Sequence, residues 1–487
     1  MSTAPINSGS ISSTGIGSGL DVASLITKMM AVESRPLTAL QTQAGALGQQ
    51  LSTVGKLQAY FAELQAQSNA LTSSALWRAT TATSTDPGAV AVSASSGAVA
   101  ASHDVSVSRL AAGQTVTSDA FASTATFGPG SLTISIGSYD SAPTGTNFSA
   151  KAGSTPVTIS IASADTSLSA LRDQINAAGA GVTAAIVSDA SGARLSLRSK
   201  DTGAENAFRI TASQSGDPGN PASGLSTLAY DASAIDSTMQ RTVSSVNAEL
   251  TVDGIALSSA SNTLNNVVDG LTLKLQKTTT SPVTVTLASD TATIKTAITS
   301  FVSAFNALAG FIGSQTAYSA SNKTSGALQG DQPTLALQRQ LRNAINQSSG
   351  ASKNWTQLSE IGLSMKVDGT LETNPARLDN ALGQLDELQR LLATDGSGPA
   401  DSGFVRRFKN LADAALASDG MFAARNASLQ ARTARNSKSQ EAMQKRLDQT
   451  QARLQAQYAA LDSQMASLNA LSTYMTQQIT QSNKSTS

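Results

Sequence analysis

Apolar residues recur with helical spacing at both ends of the chain. After Asp21, helix-favouring sequence continues to about residue 76, and its apolar positions from Leu40 to Leu71 mostly follow each other at steps of three or four. At the other end, residues 425–487 contain neither proline nor glycine. One apolar row there recurs every seven residues and a second row lies four positions further on, which predicts a coiled-coil seam. The two rows are Leu447, Leu454, Leu461, Leu468 and Met475, and Tyr458, Met465 and Ile479.

The middle of the chain alternates with a period of two instead. The segments SLTISIGS and VTISIAS predict strands, and a short helix with Leu168, Leu171 and Ile175 on one face separates them from two further strands. This order predicts a β-β-α-β-β module. Further along, Asp253-Gly254 lies between alternating apolar residues, which is typical of a two-residue hairpin turn.

Helical periodicity returns at Asp290, and further helices are predicted at about 332–347, 375–393 and 403–417. The predicted fold class is therefore a multidomain α+β protein, with long terminal helices forming a coiled-coil leg, a bundle-like helical domain and two inserted β-rich head domains. The predicted domains are terminal helical assembly segments at 1–42 and 425–487, a helical leg at 43–79 and 290–424, one head domain at 80–112 and 243–289, and an inserted head domain at 113–242.

Composition excludes several classes of function. The 33 basic residues equal the 33 acidic ones, so no net charge favours nucleic acid as a partner. The absence of cysteine excludes thiolate metal sites and cysteine nucleophiles. No apolar run approaches the ~20 residues needed to span a bilayer, so we expect no membrane insertion. Lys28 is the first basic residue, so we expect no cleaved signal peptide.

Candidate chemical sites are weak. The glycines at 15, 17 and 19 have the spacing G-x-G-x-G and follow no predicted strand, so they do not match the dinucleotide fingerprint. The single histidine, His103, lies in a predicted strand with Asp104 directed to the opposite face, and we expect it to be solvated. Carboxylates form no cluster at ligand spacing. We therefore predict no enzyme, no cofactor and no metal.

The terminal helices need a partner. Ordering a helix of this length costs much backbone entropy, and its apolar stripe offsets that cost only where another surface covers it. We expect the two ends to pair antiparallel, to be disordered in the monomer and to become ordered in an assembly.

Several ordered motifs resemble the bacterial flagellar filament-capping family (hook-associated protein 2, FliD). They are GIGSGLDVASLITKMMAVESRPL, VSVSRLAAGQTVTSDAF, VDGIALSSASNTLNNVVDGLTLKL, FVSAFNAL, LQGD and LSEIGLSMKVDGTLE, in the family's order and spacing. Residues 131–212 are similar to the repeat inserted in flagellins. Together these motifs cover nearly the whole chain.

The resemblance implies a structural protein without catalytic residues. It implies secretion through the flagellar type III apparatus to the distal filament tip, where a ring of five or six copies promotes the folding and insertion of exported flagellin. Further implied partners are the hook-filament junction proteins and a cytoplasmic export chaperone on the C-terminal helix, either on the basic run from Arg425 to Arg453 or on the heptads after it. Host mucin is a further possible partner.

The resemblance also assigns roles to the N-terminal segment. Gly15, Gly17 and Gly19 would form a hinge at the end of a leg, and the apolar residues around them would supply adaptable contacts, for which methionine is suited. The predicted assembly interface therefore adds to the two C-terminal rows these N-terminal residues: Ile16, Leu20, Val22, Leu25, Ile26, Met29 and Met30.

Three alternatives remain open at this point. The first is another flagellar axial protein, such as a flagellin or a hook-filament junction protein, although flagellins differ in the segment GLDVASLITKMM. The second is a secreted adhesin that binds mucin or glycan through its head domains. The third is a hydrolase built around His103.

Overall fold

The chain folds into two compact units. The computed structural model describes residues 21–122, 124–140, 147–163, 166–214, 224–234, 237–319 and 324–484. One unit, here the helical unit, comprises Met1–Ser73 and Ile294–Ser487, and the other, the β-rich unit, comprises Ser74–Thr293.

The helices of the described residues follow the periodicity of the sequence, with the longest at the two ends of the helical unit. They are α1 (Val22–Glu33), α2 (Arg35–Thr72), α3 (Ser74–Trp77), α4 (Leu168–Ala177), α5 (Thr291–Thr316), α6 (Gln332–Asn346), α7 (Pro375–Leu382), α8 (Leu385–Ala393), α9 (Phe404–Leu416) and α10 (Met421–Lys484). Two short 3₁₀ helices span Ala204–Asn206 and Gly224–Leu228.

Side-chain caps fix where several helices begin. The carboxylate of Asp331 accepts a hydrogen bond from Thr334 N at 3.2 Å, and the amide oxygen of Asn374 accepts one from Arg377 N at 3.1 Å. The single helix predicted at 375–393 is wrong, because α7 ends at Leu382 and α8 begins at Leu385. Gly383 is the C-cap of α7. The sequence does not reveal the break between the two helices, because the residues on both sides of it favour helix.

Aromatic side chains form the core of the helical unit. On α5 and α9, Phe301 and Phe305 each approach the Phe408 ring with centroids 5.5 Å apart. Among the described helices, α5 is the one long and apolar enough to cross a membrane by length and composition, with a mean hydropathy of 1.4. The buried face of α5 supplies this core, which accounts for its apolar character.

Two arginines hold the ends of α6. Arg425 of α10 is paired with Asp331, the residue that caps the N-terminus of α6. Arg407 of α9 donates to Gln347 O at 2.6 Å and to Ser348 O at 2.9 Å, beyond the C-terminus of α6. Burial lowers the pKa of Arg407, but the guanidinium stays charged at neutral pH and satisfies carbonyls that the helix leaves free.

The strands of the described residues lie mostly in the β-rich unit and pair antiparallel. They are β1 (Thr80–Ser84), β2 (Val90–Ala94), β3 (Ala101–Arg109), β4 (Thr115–Thr117), β5 (Gly130–Tyr139), β6 (Phe148–Ala150), β7 (Val157–Ile161), β8 (Val182–Asp189), β9 (Gly192–Ser199), β10 (Ala207–Gln214), β11 (Gln240–Val243), β12 (Ala248–Val252), β13 (Ile255–Ser259), β14 (Thr263–Val268), β15 (Leu271–Leu275), β16 (Val283–Ser289), β17 (Tyr318–Ser319), β18 (Thr324–Ser325), β19 (Leu363–Met365) and β20 (Leu371–Thr373).

One core of the β-rich unit lies between a five-stranded sheet, ordered β1-β16-β3-β12-β13, and a three-stranded sheet, ordered β14-β15-β2. The hairpin predicted at Asp253-Gly254 is confirmed and joins β12 to β13. Both turn residues have positive φ, 49° and 80°, which is the geometry that favours Asp-Gly in a two-residue turn.

A second core contains the predicted β-β-α-β-β module, which is confirmed as β5, β7, α4, β8 and β9 with the short β6 added. Leu168, Leu171 and Ile175 of α4 are buried as expected. The sheets are ordered β10-β5-β6, with β7 on β5, and β11-β4-β9-β8. The α+β fold class with terminal helices and two β-rich regions is therefore confirmed, while the finer four-part division remains a prediction.

Side-chain amides form several tertiary contacts in addition to the ion pairs. In an arrangement called here an amide clamp, one Asn or Gln side chain bonds both the N–H and the C=O of a single residue in another segment of the chain. Asn306 of α5, for example, donates to Leu371 O at 2.8 Å and accepts from Leu371 N at 2.6 Å. The clamps of the described residues are Gln114 on Phe208, Asn176 on Ala184, Asn262 on Ala111 and Asn306 on Leu371.

Candidate assembly surface

The first tail helix, α1, is folded back against α10. Its N-cap, Asp21, accepts a hydrogen bond from Ser24 N at 2.9 Å. Val22 and Ile26 are buried, and Tyr458 Oη of α10 lies 3.8 Å from Met29 Sδ. The N-terminal and C-terminal helices therefore contact each other within one chain.

The proximal part of α10, Met421–Leu447, is covered by α2. Phe61 and Phe422 are 0% and 1% exposed and meet edge to face, with ring centroids 5.4 Å apart. Leu429 is fully buried, and Leu447 is 5% exposed. This part of the seam has a partner within the chain.

Amide side chains link α2 to α10 between the apolar layers. Asn426 Nδ2 donates to Gln58 Oε1 at 3.3 Å, and Asn436 Nδ2 donates to Gln43 Oε1 at 3.0 Å. Asn436 is 5% exposed, whereas Gln43 is exposed, so the hydrogen bond is shielded from water on the side of α10 only. A buried amide at a helix-helix seam favours one register, because any shift leaves polar groups without partners.

The distal part of α10 carries an apolar surface that the described chain leaves uncovered. This distal stripe has side chains between 42% and 59% exposed, and it consists of Leu461, Leu468, Leu471, Tyr474, Met475 and Ile479. Asp462 is the single charged residue from 461 to 481. Exposed apolar surface of this extent is typical of a contact site for another protein.

A second exposed apolar surface lies on α1, along the edge of the stripe that contains Val22 and Ile26. Leu25, Met29 and Val32 are 45%, 43% and 56% exposed and recur at steps of four and three. The apolar stripe of α1 is therefore wider than the part that is buried within the chain, and its exposed edge could contact another chain.

The structure separates the predicted interface residues into three groups. Val22, Ile26 and Leu447 are buried within the chain, and Met30, Leu454, Tyr458 and Met465 are half-buried. Leu25, Met29, Leu461, Leu468, Met475 and Ile479 are exposed. The predicted residues Ile16 and Leu20 and the hinge at Gly15, Gly17 and Gly19 lie outside the described residues.

Three exposed apolar residues were missed by the sequence interpretation: Val32, Leu471 and Tyr474. The last two lie off the heptad rows, so the stripe is broader than a two-stranded seam. The steps of three from Leu468 to Leu471 and from Leu471 to Tyr474 were the available signal.

The solvent side of α10 is basic from residue 432 to residue 453, over most of the proximal part and just beyond it. Arg432, Arg435, Lys438, Lys445, Arg446 and Arg453 are exposed. Only Glu441 and Asp448 oppose them within this segment. The basic segment and the uncharged distal stripe are therefore distinct surfaces of one helix, with different expected partners.

His103 is not the solvated residue expected from the sequence. Its side chain is 14% exposed, and its Nδ1 lies 2.7 Å from Asp253 Oδ2. Asp253 Oδ1 also accepts from Asp104 N at 2.9 Å, and the bond from His103 is the main cause of the lowered pKa of Asp253. His103 Nε2 is buried and bonds no oxygen or nitrogen of the described residues, so no serine completes a catalytic triad there.

A cleft in the described part of the β-rich unit also lacks the residues that catalysis would need. This cleft of about 370 Å³ is lined by Arg109, Tyr139, Asn247 and Glu249, but Arg109 and Glu249 bond each other at 2.5 Å. Burial raises the pKa of Tyr139, so its hydroxyl stays neutral at physiological pH. Across the described residues no group of three or more His, Asp and Glu is placed to hold a metal ion.

Comparisons with known proteins agree with an assembly role. A family model described as the flagellar hook-associated protein 2 C-terminus matches residues 245–470, one described as its N-terminus matches 18–114, and one described as the flagellin hook IN motif matches 147–201. Flagellar hook-associated protein 2 of Escherichia coli strain K12 is 33% identical over 98% of this chain and 99% of its own length. The same-named protein of Salmonella typhimurium strain LT2 is 31% identical over 98% of this chain and 100% of its own.

A solved structure is also similar. The crystal structure of the D1-D2-D3 domains of the flagellar cap protein FliD from Escherichia coli matches with a TM-score of 0.59 and 30% sequence identity. The match covers 78% of this chain and 99% of the solved chain.

Proposed function

This chain belongs to the flagellar hook-associated protein 2 family, and we propose that it caps the flagellar filament, outside the cell at the filament tip. Copies assemble there into a ring and promote the folding and insertion of exported flagellin. The export route through the flagellar type III apparatus, without a cleaved signal, is part of the same proposal.

The observation that carries this proposal is the distal stripe. A covered seam would stabilise the single chain, whereas exposed leucine, methionine and tyrosine side chains gain free energy only when another chain buries them. The breadth of the stripe suits contact with more than one neighbouring helix, as a ring on a helical filament requires. We propose the exposed face of α1, with Leu25, Met29 and Val32, as the second half of this contact.

Other partners follow from the same surfaces. Before export, a cytoplasmic chaperone on the C-terminal helix would cover either the basic run from Arg425 to Arg453 or the heptads after it, and in the second case it would shield the distal stripe from aggregation. After export, flagellin and the hook-filament junction proteins would meet the leg and tail helices. The six exposed basic residues of α10 are a separate contact for an acidic partner surface.

Electron microscopy of negatively stained protein tests ring assembly. The purified chain is compared with the double variant Leu468→Ser, Met475→Ser, and with Gln464→Ala as a matched change at an exposed polar position of α10. We expect rings from the parent chain and from Gln464→Ala, and single particles from the double variant. Rings that persist in the double variant would contradict the role of the distal stripe.

A second experiment tests the effect on flagellin. Substoichiometric amounts of the chain are added to a strain that lacks its own cap and secretes unpolymerised flagellin. We expect filament growth to resume with the parent chain and to fail with the double variant. Growth that stays absent with the parent chain, despite normal rings, would contradict the capping function while leaving self-assembly intact.

A further inference from the structure

The strand β8 has one open edge. It is the last strand of the sheet β11-β4-β9-β8, so only β9 pairs with it. The N–H and C=O of Ala184 point away from β9 and bond the side chain of Asn176, at 2.8 and 2.9 Å. Because backbone groups alternate along a strand, those of Ile186 and Ser188 point to the same edge. Nothing in the described part of the chain hydrogen-bonds to them there.

This edge lacks the features by which sheet proteins block edge pairing. Residues 182–188 contain no charged residue and no proline, the one charge of β8 is Asp189 at its end, and the Val187 side chain is 54% exposed. Among the described residues, neither a loop nor a strand bonds along this edge. The carboxamide of Asn176, at the end of α4, occupies at Ala184 the place that a neighbouring strand would take.

We propose that the open edge of β8 is a latent self-association surface and that the Asn176 clamp keeps it closed. The occupant is the β8 edge of a second copy, because two such neutral edges meet antiparallel across a two-fold axis without like-charge repulsion. Such a pair closes on itself, so it competes with the ring proposed above and would remove chains from assembly.

The absence of cysteine allows a direct test. Val187→Cys places one thiol on the exposed side of β8, and antiparallel edge pairing in the register that sets residue 187 opposite residue 187 of the second copy brings the two thiols within reach of a disulfide. The full-length chain carrying Val187→Cys is oxidised at micromolar concentration, with Asn176 intact or replaced by Ala. We expect about tenfold more disulfide-linked dimer with Asn176→Ala, since one net hydrogen bond is worth about that factor.

Asn262→Ala is the matched control, because it removes an equivalent clamp, on Ala111, elsewhere in the β-rich unit. With Val187→Cys it should show no more dimer than Val187→Cys alone. Ring assembly affects all three proteins equally and so cannot produce the difference. Equal cross-linking in the Asn176→Ala and Asn262→Ala proteins, or none in either, would overturn the proposal.

Discussion

Leu447 and Leu468 occupy the same heptad row of α10, 21 residues apart, yet they are 5% and 59% exposed. Leu447 is buried, and in the segment before it α10 packs on α2, with amide hydrogen bonds at Asn436 and Gln440. Around Leu468 no described residue covers the row. A heptad pattern therefore shows that a surface will be buried, but not whether the partner is the same chain or another one.

The contrast also separates two uses of one helix. The proximal part stabilises the fold of a single chain, and the apolar surface of the distal part stays exposed until another chain buries it. Substitutions in the two parts should therefore affect different measurements.

The largest effect is expected at Phe422. Its side chain is 1% exposed and packs against Phe61, so Phe422→Ala should lower the free energy of unfolding by about 3–5 kcal/mol. Urea denaturation followed by circular dichroism measures this. A loss below about 1 kcal/mol would show that the proximal seam is not part of the cooperative core.

The pair Leu447→Ala and Leu468→Ala tests the comparison with identical chemistry. We expect Leu447→Ala to cost about 2–3 kcal/mol of stability. Leu468→Ala should change stability by less than about 0.5 kcal/mol but weaken assembly, because its side chain is covered only by other copies. Equal destabilisation by both changes in the dilute monomer would mean that the distal stripe is covered within the chain.

A smaller effect is expected at Asn436. Asn436→Ala removes a 5%-exposed amide from its hydrogen bond with the exposed side chain of Gln43, and since water can replace the bond at Gln43, the change should cost about 0.5–1.5 kcal/mol. The measurement is again urea denaturation, with Gln464→Ala at an exposed position of α10 as control. A neutral Asn436→Ala would show that water replaces this hydrogen bond freely.

The smallest expected effect is the dependence of stability on pH. It should appear in the β-rich unit, which contains the His103–Asp253 pair, and not in α10, whose hydrogen bonds to α2 come from uncharged amides. The hydrogen bond from His103 lowers the pKa of Asp253, so the ionised carboxylate stabilises the fold above its ordinary range near 4. This contribution is lost as the pH falls through the lowered pKa. The stability advantage of the parent chain over Asp253→Asn should therefore shrink between about pH 5 and pH 3. The helicity of α10 should show no such difference, and a constant gap across this range would contradict the role of the pair.

Much of the fold could be predicted, because the local signals were strong. Asp253-Gly254 specifies its turn, Leu168, Leu171 and Ile175 specify the buried face of α4, and the family resemblance is confirmed. The break at Gly383 was missed because a single glycine does not by itself end a helix. The burial of His103 was missed because its partner, Asp253, is 150 residues away and only the sheet brings them together.

The candidate site was predicted less completely. The heptad rows identified most of the distal stripe, but Leu471 and Tyr474 fall between heptad positions. No sequence period could show that Leu447 is covered and Leu468 is not, because that depends on where α2 and α1 lie along α10. The amide clamps also could not be predicted, since three of the four join residues 65 to 151 positions apart, and the clamp of Asn176 on Ala184 depends on how α4 packs on β8.

Amide hydrogen exchange along α10 in the dilute, unassembled chain tests the central claim most directly. We predict strong protection for residues 421–447 and exchange at least a hundredfold faster for 461–481, with the distal residues gaining protection only when rings form. Protection of residues 461–481 equal to that of 421–447 in the dilute monomer would contradict the claim that this surface is reserved for other chains.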